Sequence, residues 1–85
     1  MQEFSYTVKE PLGLHARPAG LLVKKLQEFS SDATVLRGDD KCDGKKLLPM
    51  MKMKIKAGHE LVFRFEGADE KAAAKAARDC LAGIL

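Results

Sequence analysis

The apolar residues of this chain repeat at every second position in some segments and at helical spacing in others, with glycine, proline or a polar cluster near each change of period. That alternation limits the chain to a mixture of short strands and amphipathic helices. In residues 2–8, Phe4, Tyr6 and Val8 fall on one side, as in a half-buried strand, which Pro11 and Gly13 then end. From Ala16 to Phe29, the residues Ala19, Leu22, Val23, Leu26 and Phe29 make one helix face. The polar run Ser30-Ser31-Asp32 leads into a strand over Ala33–Arg37. Gly38-Asp39-Asp40 has the composition of a tight turn, which makes Lys41–Asp43 the returning strand of a hairpin.

After Gly44, the residues Leu47, Leu48, Met50 and Met51 suggest a short helix. Pro49 fits it only in the first turn, where amide hydrogens have no helical partner. Ala57-Gly58-His59 is a turn before a strand over Leu61–Glu66, with Leu61, Phe63 and Phe65 on its inner side. Gly67-Ala68-Asp69 provides a break and the expected cap before Glu70, which opens a last, alanine-rich helix whose inner face carries Ala73, Ala77, Cys80, Leu81 and Ile84. The order strand, helix, strand, strand, short helix, strand, helix predicts an α+β open-faced sandwich, one antiparallel sheet covered on one face.

With 85 residues, the expectation is a single domain over residues 1–85 with one modest core, which excludes a multidomain enzyme with separate cofactor and substrate lobes. Cys42 and Cys80 are too few for the disulfide framework of small secreted domains, and they lack CxxC spacing. No basic leader or membrane-length apolar run is visible, so the expected location is the cytoplasm. Cys42, His59 and Cys80 lack paired ligand spacing, so no metal is expected and the thiols read as small apolar groups.

Charge is placed unevenly. The net charge is +3, yet His15–Lys25 alone carries +3 and Lys41–Lys56 carries +5, which leaves −5 for the remainder. If the fold joins those segments, they make a basic face that steers an acidic partner or an anionic group. A nucleic-acid-binding domain is a rival use of these lysines. The chain has no Trp, one Tyr and four Phe at core-facing positions, which leaves no stacking platform for bases.

The segment Gly13-Leu14-His15-Ala16-Arg17-Pro18-Ala19 carries the chemistry. His15 falls where a loop becomes a helix, and Pro18 loses no helical hydrogen bond there. The amide hydrogens of Ala16 and Arg17 and the positive end of the helix dipole converge on an anion site, and Arg17 adds a planar fork of donors for phosphate oxygens. Nearby positive charge also disfavours the imidazolium, which leaves the nucleophilic neutral ring. On these residues alone His15 reads equally as a capping histidine or as a phosphoryl acceptor.

Leu14-His15-Ala16-Arg17-Pro18-Ala19 resembles the active-site segment of HPr, the histidine-containing phosphocarrier family of the bacterial phosphoenolpyruvate-dependent sugar phosphotransferase system. The resemblance extends through the region 46–53, the Ala57-Gly58 turn and Gly67-Ala68-Asp69-Glu70. It implies a four-stranded antiparallel sheet with three helices on one side. It also implies that His15 takes a phosphoryl group on Nδ1 from phosphorylated enzyme I and passes it to the A domain of a sugar-specific enzyme II. Arg17 and the amides of Ala16 and Arg17 would steady the phosphoryl oxygens. The protein would then be a carrier, not an enzyme, monomeric and with no cofactor, metal or nucleic acid, reaching the membrane only through enzyme II. In that fold the first two helices lie side by side, so Lys24, Lys45, Lys46 and Lys52 would ring an apolar docking patch drawn from Leu47, Leu48, Met50, Met51 and Met53. His59 has no matched role.

One position departs from the pattern. Many HPr proteins of Gram-positive bacteria carry a regulatory serine where this chain has Lys46, and a lysine cannot accept that phosphorylation. A cation at a helix N-terminus is also unfavourable, by roughly 0.3–1 kcal/mol when exposed. Pro49 and Lys54 stand where glycine is common in those relatives. A regulatory, nitrogen-related phosphotransferase branch is the alternative role, which neighbouring genes for sugar-specific components would distinguish from transport.

Overall fold

A computed structural model describes residues 1–14 and 16–84, so the expectations placed on His15 and on the side chain of Ile84 lie outside the described residues. The chain runs β1 (Gln2–Thr7), α1 (Ala16–Leu26), β2 (Asp32–Arg37), β3 (Asp40–Asp43), α2 (Leu47–Lys52), β4 (Glu60–Glu66) and α3 (Glu70–Ile84). The element order is the one the apolar periodicity predicts. The strands form one antiparallel sheet in the order β1-β4-β2-β3, which places the last strand at its centre. The helices cover one face, and the other is open, as expected of an open-faced sandwich.

Pleat parity decides what each face carries. In register, Phe4 lies opposite Phe63, Val35 opposite Phe63 and Ala33 opposite Phe65, all turned inward. The Phe4 and Phe63 rings stack with centroids 5.1 Å apart, and the Arg78 guanidinium covers Phe4 at 5.0 Å from its centroid. On the open face, the Arg64 Nε donates to Glu3 at 2.6 Å, a cross-strand pair. The helices supply Ala19, Leu22, Val23 and Leu26 from α1 and Ala73, Ala74, Ala77 and Leu81 from α3. The alanines let α3 lie close on both α1 and β4. Complete burial of a side chain such as Leu22 or Phe63 contributes about 1.5–3 kcal/mol.

The structure corrects two boundary expectations. Helix α1 stops at Leu26, short of Phe29, because the backbone tightens: Glu28 N–H donates to the Lys25 carbonyl and Phe29 N–H to that of Leu26. Beyond that turn the chain is captured by Asp69, which is the second correction. Asp69 stands just before α3, and its backbone carbonyl accepts from Ala73 N–H. Its carboxylate does not cap that helix. It accepts instead from Ser30 N–H and Ser31 N–H, both at 2.9 Å, and from the Ser31 hydroxyl. Ser31 is buried beside Gly67, where an added Cβ would come within 2.7 Å of the Ser31 Cα. Glu70 takes over at the helix start, accepting from Gly67 N–H at 3.3 Å.

Both thiols are free. Burial, with a smaller contribution from the Asp43 charge, pushes Cys42 up to about 11, and burial raises Cys80 as well. That fits their reading as apolar groups without redox chemistry. Among the described residues no cluster of His, Cys, Asp and Glu could hold a metal.

Candidate functional site

The loop that leads to position 15 rests on the turn between Ile55 and His59. At its entrance, Val8 N–H donates to the His59 carbonyl at 3.0 Å and the Val8 carbonyl accepts from Gly58 N–H at 2.8 Å. At its exit, Leu14 N–H donates to the Ile55 carbonyl at 3.0 Å, and the Leu14 side chain is buried. Gly13 adopts φ +70° against this turn, and an added Cβ would lie 2.7 Å from the Lys56 Cα, so no other residue fits. Sequence reasoning places Gly13 at the end of a strand and at the head of the chemical segment, but not its close approach to Ile55 and Lys56.

Helix α1 begins at Ala16. Pro18 and Ala19 are buried, which anchors the first turn in the core. Ala16 and Arg17 are exposed and occupy its first two positions, so neither N–H has a carbonyl four residues earlier within the helix. Pro18, at the third position, has no N–H to leave unpaired. Among the described residues, Arg17 forms no ion pair. Position 15 thus lies between a clamped loop and the positive end of a helix.

Helix α2 packs beside α1. Lys24, Lys46 and Lys52 are exposed and, among the described residues, form no ion pairs. Other lysines diverge from the predicted ring. Lys45 donates from Nζ to the Phe29 carbonyl at 2.6 Å, while Gln27 donates to the Lys45 carbonyl at 2.8 Å, so this cation ties the end of α1 to the loop before α2. Lys41 flanks buried Cys42 on β3 and therefore points to the open side of the sheet, so this lysine of the second basic segment does not join the face formed beside α1.

The five apolar residues of this region divide between core and surface. Met50 and Met53 are core, and Met51 is half-buried against it. Leu47 and Leu48 are the outward residues of α2, with Leu48 71% exposed. Exposed Leu12 and Leu21 were not singled out from sequence, since a lone leucine in a loop or on a helix carries no signal there.

Lys46 occupies the N-cap of α2 with an extended backbone and no side-chain cap bond. Asp43 organises the preceding turn, its carboxylate accepting from Lys45 N–H at 2.9 Å and its carbonyl from Lys46 N–H at 3.1 Å. Pro49 is the third residue of α2, within the first turn as required. Lys54 follows the helix at φ +52°, a conformation costly for a residue with a Cβ. Arg37 offsets that cost by donating to the Met53 carbonyl and, at 3.2 Å, to that of Lys54, a cation on the negative end of a short helix.

An open-faced sandwich that presents a helix N-terminus at one end is the fold of solved phosphocarrier proteins. A family model described as the PTS HPr component phosphorylation site matches residues 2–82, and the chain belongs to that family. The chain is 33% identical to the phosphocarrier protein HPr of Mycoplasma capricolum over 95% of its own length and 91% of that protein. It is 40% identical to a multiphosphoryl transfer protein of Escherichia coli O157:H7 over 94% of its own length, but spans only 22% of that longer protein. A solved Mycoplasma histidine-containing phosphocarrier protein superposes with a TM-score of 0.95 at 32% identity, covering 96% of this chain and 93% of that one. This is accordingly an HPr-type phosphocarrier of the phosphotransferase system.

Proposed function

We infer that His15 receives a phosphoryl group from phosphorylated enzyme I and delivers it to the A domain of a sugar-specific enzyme II, coupling the protein to sugar uptake. The observation that carries this reading is the setting of position 15, with Leu14 pinned to Ile55 on one side and the exposed Ala16 and Arg17 at the start of α1 on the other. The Nδ1 lone pair forms the bond to phosphorus as the bond to the donor breaks and its electron pair returns to the donor. The N–H groups of Ala16 and Arg17 and the Arg17 guanidinium face the phosphoryl oxygens and stabilise their charge. No cofactor is used. Lys24, Lys46 and Lys52 steer the acidic faces of both partners, with Leu47 and Met51 as apolar contacts. The protein works as a cytoplasmic monomer; among the described residues no helix is long and apolar enough to cross a membrane.

The test is discharge of the phosphorylated protein by an isolated enzyme II A domain. The bound phosphate should move to that domain, and Arg17→Ala should slow the transfer by roughly tenfold or more, as the loss of a charge-assisted contact implies. Phosphate retained in the presence of a range of A domains would contradict the carrier role. Regulatory phosphorylation at position 46 does not occur, because Lys46 has no hydroxyl. An HPr serine kinase with ATP should leave the protein at its unmodified mass, and stoichiometric phosphorylation would refute this.

A further inference from the structure

We propose that His59 is a positioning residue for phosphoryl transfer: its ring locks the turn on which both ends of the loop before His15 are clamped. The inference rests on the reading of His15 as the acceptor. The His59 Nδ1 accepts a hydrogen bond from Lys56 N–H at 2.9 Å, and His59 N–H donates back to the Lys56 carbonyl at 3.1 Å. The ring and backbone of one residue thus close the turn reciprocally, with any ring proton of the neutral imidazole on Nε2. Among the described residues, the same few residues make the backbone bonds that tie this loop to the turn. His59 and Gly58 hold Val8, Ile55 holds Leu14, and Lys56 supplies the surface on which Gly13 rests. The far side of the turn is held by Arg37 on the carbonyls of Met53 and Lys54. Without the ring acceptor, the exposed side of this turn loses the bond that fixes Lys56, and Gly13 and Leu14 lose a rigid support. A phosphoryl acceptor tolerates little misplacement, since transfer depends on alignment of the attacking atom.

Asparagine carries its Oδ1 the same number of bonds from the backbone as the histidine Nδ1, so His59→Asn keeps the acceptor, whereas His59→Ala removes it and His59→Gln displaces it. Two readouts are taken on each variant: the rate of phosphoryl uptake from phosphorylated enzyme I by rapid quench, and exchange of the Leu14 amide hydrogen relative to that of Phe63 in the central strand. Expected for His59→Ala and His59→Gln are uptake slowed about threefold to tenfold, the size of one lost hydrogen bond, unchanged final stoichiometry, and faster Leu14 exchange with Phe63 unaffected. His59→Asn should restore both. Uptake and Leu14 exchange at wild-type rates in His59→Ala and His59→Gln would overturn the proposal, as would a His59→Asn variant that is no better than they are. If His59→Ala does not fold, the contrast between His59→Asn and His59→Gln decides alone. Label persisting in His15→Ala overturns the acceptor assignment instead, a result separate from the exchange measurements.

Discussion

Asp69 binds three donors from a segment almost forty residues away, and this one carboxylate joins the start of α3 to the end of α1. The Ser31 hydroxyl, the Ser30 N–H and the Ser31 N–H hold its pKa down to about 2 from the ordinary 3.8. A depressed carboxylate stabilises the fold above its unfolded pKa, and that contribution disappears as pH falls through the folded value. Stability measured by urea unfolding should therefore decline between pH 3.8 and about 2. In Asp69→Asn, stability should be lower at neutral pH and the acid slope in that window shallower; an unchanged slope would show that the latch does not form. The sequence marked Asp69 as a break and a helix start, which it is. Its carboxylate went elsewhere because a side-chain acceptor is taken by whichever donors tertiary packing brings near, and periodicity holds no record of Ser30 and Ser31. His59 is similar: the turn was legible from Ala57-Gly58, but the use of the ring as an internal acceptor was not.

At the scale of elements, strands and helices were legible wherever one face is apolar. Phe63 and Phe65 in β4 and Leu22 and Leu26 in α1 repeat with the period of the element they occupy. Ends were less legible, because they depend on tertiary partners: α1 stops at a tightened turn beyond which Lys45 holds Phe29 and Asp69 holds Ser30, and Lys54 is tolerated after α2 because Arg37 reaches the carbonyls of Met53 and Lys54. Helix α1 also carries a weakness of its own in Gly20, an interior position where an added Cβ meets nothing within 4 Å. Gly20→Ala should stabilise the protein by about 0.5–1 kcal/mol, through the entropy glycine loses on entering a helix. A higher urea midpoint at constant slope is the expected result. A lower midpoint would mean that α1 does not pack as described.

Across the whole molecule, the strand order β1-β4-β2-β3 is invisible to periodicity, since any arrangement of four half-buried strands satisfies the same pattern. The family resemblance implied four antiparallel strands under three helices without their order, and it decided between a capping histidine and a phosphoryl acceptor, two readings the local residues left equal. The sequence suggested a single basic face, and the fold divides it: Arg17, Lys24, Lys46 and Lys52, which form no ion pair among the described residues, lie on or beside two neighbouring helices, Lys45 is tied to a carbonyl, and Lys41 lies on the open side of the sheet. A small net charge therefore conceals a localised one on the outer side of α1 and α2.

The central claim is that His15 carries the phosphoryl group. Incubation of the protein with enzyme I and labelled phosphoenolpyruvate should give one acid-labile, base-stable phosphate per chain, absent from His15→Ala and present at full stoichiometry in His59→Ala. Unchanged labelling of His15→Ala, or a label stable to acid, would contradict it.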